Sequence, residues 1–319
     1  MHLADALVSP GVAGGAGVVS AALIAVDARK LKGVTEREGL VPMMGVLGAF
    51  VFAAQMINFS IPGTGSSGHI VGGVMLAALL GPWAALITLA SVLVVQCLLF
   101  ADGGLMALGC NILNMGVCST LIAYPLVFKP LAGDCGRMWR VVAASVCASV
   151  VGLELGAVMV TVETELSGVT ALPFGSFLGL MTGIHLLIGL GEGIATAAVL
   201  CFVMKFRPGL LSPEKRQGGS TSVLAWFLGG AILLGGCFAW IASEDPDGLE
   251  WSVGRLTGGT EIAGGTGDVE VALAAVQQKT SLLPDYDSTW SGIIGCAIVL
   301  VLVWAVTSLI SFRRKNKPV

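Results

Sequence analysis

The chain holds only three histidines, His2, His69 and His185, and the first of them directly follows Met1. A Met-His start has a specific chemistry when its α-amine is free. The amine, the deprotonated amide nitrogen of His2 and the Nδ1 of its imidazole can close fused chelate rings on one metal ion, giving three nitrogens in a plane. One further imidazole completes a square, which suits Ni²⁺ or Cu²⁺, whereas Co²⁺ more often takes other geometries. Ionising an amide requires a metal that strongly favours this field, which disfavours Mg²⁺, Ca²⁺ and Zn²⁺.

His69 is the natural fourth ligand. It follows Ile61-Pro62-Gly63-Thr64-Gly65-Ser66-Ser67-Gly68, whose glycines and serines can bend tightly and donate hydrogen bonds. Asn58, Ser67, Asn111 and Asn114 are candidates to orient the imidazoles from behind. His185 and Glu192 lie seven residues apart, two helical turns and therefore one face. With Glu154 they form a second polar group, read either as a His185–Glu192 contact, as a bridge to Glu154, or as metal ligation. Ionisable groups inside a membrane are costly and default to functional hypotheses. The spacing does not match H-E-x-x-H. The Gly/Ser stretch lacks the Gly-Lys-Ser/Thr ending that holds phosphate, so no nucleotide is expected on this chain. The eight cysteines form no C-x-x-C pair, lie mostly in apolar runs and read as small apolar side chains.

The elements that must position these groups are membrane helices. Of 319 residues 55% are apolar and 12% charged, against roughly 25% charged in soluble domains. Apolar runs bounded by charges and turn residues place helices near 8–26, 41–58, 69–80, 82–100, 105–128, 139–162, 177–204, 223–241 and 292–312. The fold class is therefore all-α, a polytopic bundle of about nine transmembrane helices. Fifteen of the seventeen Lys/Arg fall in four segments, around residues 29–37, 129–140, 205–216 and 313–317. The positive-inside rule puts all four in the cytoplasm. An even number of crossings separates them only if 69–100 crosses twice, as a hairpin broken at Gly81-Pro82. Met1, His69 and the acidic loop 242–291 then share the outer face, and the C-terminus is cytoplasmic. No Lys or Arg precedes the first apolar run, so the N-terminus is expected to be retained rather than cleaved as a signal peptide. Small residues at Ala13, Gly17, Ala21 and Ala25, and at Gly175, Gly179 and Gly183, suit close helix packing, within the bundle or onto a separate membrane subunit.

The opening Met1-His2-Leu3-Ala4-Asp5-Ala6-Leu7-Val8-Ser9-Pro10 resembles the start of the CbiM/NikM family. The likeness continues through Pro62 to Gly73, Asp102-Gly103-Gly104-Leu105, Leu108-Gly109-Cys110-Asn111, Asn114-Met115-Gly116 and His185-Leu186-Leu187-Ile188-Gly189-Leu190-Gly191-Glu192-Gly193. Asp245-Pro246-Asp247-Gly248-Leu249-Glu250, with Pro284-Asp285-Tyr286, resembles the PDGLE motif of the two-helix accessory subunit NikN or CbiN. The resemblance implies a seven-helix substrate-binding component at 1–207, a cytoplasmic linker at 208–222 and an accessory region at 223–319, in the inner membrane. It implies Ni²⁺ or Co²⁺ as transported substrate, held by the Met1 amine, the His2 amide and imidazole, and His69. It also implies a transmembrane coupling protein and two ATPase subunits as partners in an energy-coupling-factor importer, with lipid around it and no nucleic acid. Nickel and cobalt, the latter in the context of cobalamin biosynthesis, both stay open. Two other readings remain: a stand-alone secondary metal carrier, and a membrane metalloenzyme or sensor built on His185, Glu192 and Glu154.

Overall fold

The computed structural model of the chain describes residues 1–31, 39–211, 221–237, 242–260, 267–286 and 290–315. The architecture is a helix bundle with one small hairpin. Its helices are α1 (Pro10–Leu31), α2 (Leu40–Gln55), α3 (Gly73–Leu80), α4 (Pro82–Phe100), α5 (Leu108–Ala132), α6 (Met138–Ser167), α7 (Phe174–Phe206), α8 (Thr221–Cys237), α9 (Gly248–Thr257), α10 (Asp268–Thr280) and α11 (Ser291–Lys315). Among the described residues α1, α4, α5, α6, α7 and α11 are long and apolar enough to cross a membrane, and α2 and α8 are apolar but shorter. Within α5, Ile112–Phe128 is wound as a π-helix with Pro125 inside it. Most of the 208–222 linker, the basic residues Lys32, Arg37, Lys215, Arg216 and Lys317, and the end of the expected 223–241 helix lie outside the described residues.

The structure corrects three expectations. The first concerns the crossing expected as a helix over 69–80. The helix starts only at Gly73 and has eight residues, about 12 Å of rise. The segment ahead of it, through Gly72 at φ +76°, is buried but not helical. Such backbone is tolerated at membrane depth only where protein surrounds it and supplies its hydrogen bonds. The break at Gly81-Pro82 is present, with Pro82 opening α4 where a missing N–H costs nothing.

The second concerns residues 242–291, which are not a plain loop. They carry α9, whose N-terminus is closed by a reciprocal Asp247/Glu250 capping box, then α10 and a tight turn at Pro284–Tyr286. The third concerns helix packing. A Cβ on Gly175, Gly179 or Gly183 would meet nothing within 4 Å, so among the described residues that stripe does not pack within the bundle. The close approach of α7 to α6 lies further along, where a Cβ on Gly193 would sit 2.5 Å from Val146 Cα and one on Gly189 2.9 Å from Val150 Cα. On α1 the first half of the stripe packs, with Ala13 buried, Gly17 Cα 2.5 Å from where a Cβ on Gly109 would stand, and Ser20 Oγ donating to the Gly109 carbonyl at 2.7 Å, whereas Ala21 and Ala25 are exposed.

Around residues 59–68 the Gly/Ser stretch forms an antiparallel hairpin, Phe59–Ile61 with Ser66–Gly68, turning through Gly63 and Gly65 at positive φ. This hairpin, the loop after α4 and the start of α9 gather at one end of the bundle. The chain runs away from that end along α1 to Lys30, which stacks on Trp83 at the start of α4, and returns along α4. If the α6–α7 approach positions the second half of α7, Gly193→Ala should force those backbones apart, at about 1–3 kcal/mol for overpacking. A lowered midpoint of thermal unfolding in detergent is the expected outcome, and an unchanged midpoint would show that the contact is slack.

Candidate metal centre

The first nine residues run into the bundle rather than over its surface. Leu3 and Leu7 are fully buried, and a short 3-10 turn, Asp5–Leu7, leads into α1. Leu3 is held on both backbone groups: its N–H donates to Asn111 Oδ1 at 2.7 Å, and its carbonyl accepts from Asn111 Nδ2 at 3.2 Å and from the Gly104 N–H at 3.0 Å. Asp5 Oδ1 accepts from the Ala107 N–H at 2.9 Å. The Met1 side chain enters the space over Gly156, where a Cβ would come within 2.7 Å of Met1 Cε. Each contact uses a small residue or a buried amide on α5, α6 or the loop after α4, and together they fix the terminal amine in depth.

The amine lies 3.3 Å from His69 Nε2. The His69 Nδ1 faces the Ile70 carbonyl at 3.4 Å, which favours a proton on Nδ1 and leaves the Nε2 lone pair toward the amine, the tautomer a metal ligand needs. The rings of His2 and His69 stack with centroids 5.1 Å apart and planes 15° from parallel. Met1, His2 and His69 therefore converge on one point. Two carboxylates hold the nitrogens there: Asp247 Oδ2 accepts from the terminal ammonium at 2.5 Å, and Asp102 Oδ1 stands 2.9 Å from His2 Nδ1. His2 Nε2 is buried without a partner. Chelation through His2 Nδ1 requires that nitrogen to leave Asp102, a rotation of the ring about its Cβ–Cγ bond.

The convergence opens on a polar cavity of about 550 Å³ whose lining includes His2, His69, Asp102, Asp247, Glu250 and Gln277. Burial pushes the His69 imidazole down to about 3, with the charges of the terminal amine and His2 acting in the same direction. Burial thus favours the neutral ring, the form a metal ligand needs. Burial alone would raise both aspartates, but the charge and hydrogen bond of His2 and the hydroxyl of Tyr286 hold Asp102 well below the usual carboxylate range, and the terminal ammonium does the same for Asp247. Burial and the neighbouring Asp247 charge raise Glu250. Among the described residues no group of three or more His, Cys, Asp or Glu side chains is arranged to hold a metal. A four-nitrogen set here has to draw on the terminal amine and the His2 amide as well as the two imidazoles.

The other expected residues divide. Asn111 serves the site by clamping Leu3. Ser67 grips the segment before α9 instead of an imidazole, its Oγ donating to the Asp245 carbonyl at 2.7 Å and its N–H to the Pro246 carbonyl at 2.8 Å. Asn58 lines the cavity and accepts from the Ser243 N–H at 2.8 Å through its carbonyl. Asn114 points elsewhere, its Nδ2 donating to Glu163 at 2.7 Å. His185 and Glu192 do not pair with each other or with Glu154. His185 Nδ1 bonds the Met181 carbonyl at 2.7 Å, and its ring lies beneath Gly248, where a Cβ would come within 2.9 Å of Cε1. Glu192 accepts from the backbone of Val71 and Gly72, and Glu154 Oε1 is buried without a partner.

Sequence reasoning missed Asp102, Asp247, Gln277 and Tyr286. Gln277 Nε2 donates to the carbonyls of Gly103 at 2.7 Å and Cys97 at 3.0 Å, and the Tyr286 hydroxyl donates to Asp102 at 2.7 Å. The signals were present as Asp102-Gly103-Gly104 and as Pro246-Asp247-Gly248, but nothing in their spacing says which acid turns inward.

Two family models match. That for the cobalt uptake substrate-specific transmembrane region, CbiM, covers residues 2–210, and that for the PDGLE domain covers 221–312. A protein of Archaeoglobus fulgidus named as a fused nickel transport protein, NikMN, is 30% identical over 96% of this chain and 98% of its own length. The fused nickel transport protein NikMN of Rhodobacter capsulatus is 30% identical over 84% of this chain and 81% of its own. The cobalt transport protein CbiM of Sorangium cellulosum is 27% identical over 66% and 94% respectively. A crystal structure of a transition metal transporter, 28% identical, superposes with a TM-score of 0.57 over 65% of this chain and 93% of that one. The chain belongs to the CbiM family of metal-uptake membrane proteins and carries a PDGLE domain in the same polypeptide.

Proposed function

We propose that this chain is the capture component of an energy-coupling-factor importer for Ni²⁺ or Co²⁺, binding the ion through the Met1 amine, the His2 amide and imidazole, and His69. The observation that carries this reading is the convergence of the first residue on His69: an amine 3.3 Å from a lone-pair-bearing Nε2, with a second imidazole stacked alongside. The names of the relatives, nickel for some and cobalt for others, agree in substrate class. Planar nitrogen ligation favours nickel. The basic segments put the end of the bundle bearing Met1 outside. ATP hydrolysis and the inward step belong to separate coupling and ATPase subunits.

The PDGLE segment is the cover of this site. Its Asp247 neutralises the terminal ammonium, Trp251 Nε1 donates to the Thr64 carbonyl at 3.0 Å and Ser67 holds the Asp245–Pro246 backbone. The arrangement is a closed, proton-filled form of the site. Loading exchanges the proton on the amine for the metal and frees Asp247 and Asp102 to balance the divalent charge from the cavity wall. The acidic residues 242–291 then act as a docked lid and not as a free cation-gathering tail. The domain division at 1–207, 208–222 and 223–319 follows the same logic, with the covering part tethered to the part that binds.

Placing one residue ahead of Met1 removes the amine from chelating distance. Binding of ⁶³Ni²⁺ or ⁵⁷Co²⁺ to the purified chain should be lost, and unchanged binding would remove the N-terminal site. Proton release supplies a second test. Metal binding displaces protons from the ammonium and from the His2 amide, while burial already favours the neutral form of His69. Apparent affinity should therefore climb by about two decades per pH unit in mildly acidic buffer. A slope near zero would mean that neither backbone nitrogen is a ligand.

A further inference from the structure

The non-helical segment ahead of α3 carries His69, and the backbone polar groups of Val71 and Gly72 in it are buried. Glu192 and Gln55 satisfy them. Glu192 Oε2 accepts from the Val71 N–H at 2.9 Å and Oε1 from the Gly72 N–H at 3.1 Å, while Gln55 Nε2 donates to the Val71 carbonyl at 2.8 Å. Glu192 is fully buried and Gln55 nearly so. The Val71 peptide unit is thus gripped from α7 on one side and from α2 on the other, two residues beyond His69. Gly72 offers α3 no side-chain cap, so the Glu192 carboxylate also closes the positive end of that helix.

The grip is stiff because α7 is itself fixed in this turn. Gly193 and Gly189 bring it against the α6 backbone, and Gly191 lies under Phe59, where a Cβ would come within 2.9 Å of the ring. A rigid helix therefore presents a carboxylate to the two N–H groups that set the direction in which the chain leaves His69.

We propose that Glu192 is a positioning residue for metal binding: by holding the Val71 and Gly72 N–H groups it fixes the His69 imidazole as the fourth corner of the nitrogen plane, and it never touches the ion. This rests on the N-terminal site proposed above and adds to it the part that makes the fourth ligand immobile. A planar set tolerates little error, because three of its nitrogens come from one rigid chelate and only His69 arrives independently. Glutamine at position 192 keeps the length of the side chain but offers one acceptor oxygen and turns an NH₂ toward the second N–H. Aspartate keeps the charge but falls one methylene short of bridging both groups.

The test uses the full chain in detergent, titrated with nickel sulfate, in four forms: wild type, Glu192→Gln, Glu192→Asp and wild type extended by one residue before Met1. Affinity for Ni²⁺ should fall about 10–100-fold in the Glu192 variants, the range found when a group supporting a metal ligand is removed. The visible absorption of the bound ion should move away from the planar diamagnetic form of the wild type. A merely structural role would lower thermal stability and leave that spectrum where it was. Wild-type affinity and spectrum in either folded Glu192 variant overturn the proposal, and the aspartate form keeps the test open should the glutamine form fail to fold. Full binding by the extended chain would instead sink the underlying site, so the two failures are distinguishable.

Discussion

A polypeptide has one α-amine, and a site that uses it must bring the first residue to wherever the remaining ligands are fixed. In the proposed site that place lies inside the helix bundle, and Met1 is buried there instead of lying in solvent as most termini do. Much of the local structure answers to this demand. Asn111 and Gly104 hold Leu3, Asp5 holds the loop after α4, Gly156 leaves room for the Met1 side chain, and Leu3 and Leu7 are buried as anchors. On the opposite side His69 enters on a short extended segment rather than a helix, because a helix continued back from Gly73 would carry its backbone N–H groups into itself and away from Glu192.

Bringing an ammonium, two imidazoles and several carboxylates into one half-buried cavity sets a charge balance that must close with and without metal. In the proton-filled form the ammonium faces Asp247, and Asp102 lies against His2 Nδ1. Asp247 belongs to the PDGLE segment, the cover in the proposed function. The same side chain that neutralises the resting amine therefore reports whether the cover is seated. Fusion of the two parts into one chain keeps that side chain at high local concentration beside the site.

The all-α membrane class and the six long apolar helices were legible because membrane insertion writes itself in composition: long apolar runs and segregated Lys/Arg follow from the bilayer alone. The bounds of α4 could be read to the residue, since Gly81-Pro82 begins it and the apolar run stops at Phe100. The half-helix α3 was not legible. His69 through Leu80 has the hydropathy of a helix throughout, and the break lies at Gly72-Gly73, where Gly72 takes φ +76° and Glu192 holds the Val71 and Gly72 N–H groups. The structured form of residues 242–291 was hidden for a related reason. Its acidic composition reads as solvated loop; the Asp247/Glu250 capping box is a local signal for a helix start, but the anchoring of Trp251 and Gln277 appears only once the hairpin and the loop after α4 are in place. The convergence of Met1, His2 and His69 was readable because the α-amine and a histidine are rare groups with few alternative uses. Asp102 and Asp247 were not, since an aspartate beside a glycine most often marks a turn.

The account stands or falls on the donor set, and nickel K-edge X-ray absorption of the Ni²⁺-loaded full chain reads that set directly. It predicts a four-coordinate planar ion with nitrogen neighbours only, carrying the outer-shell scattering of two imidazoles. A six-coordinate shell, a sulfur neighbour from the buried cysteines or methionines, or the signature of a single imidazole would contradict it.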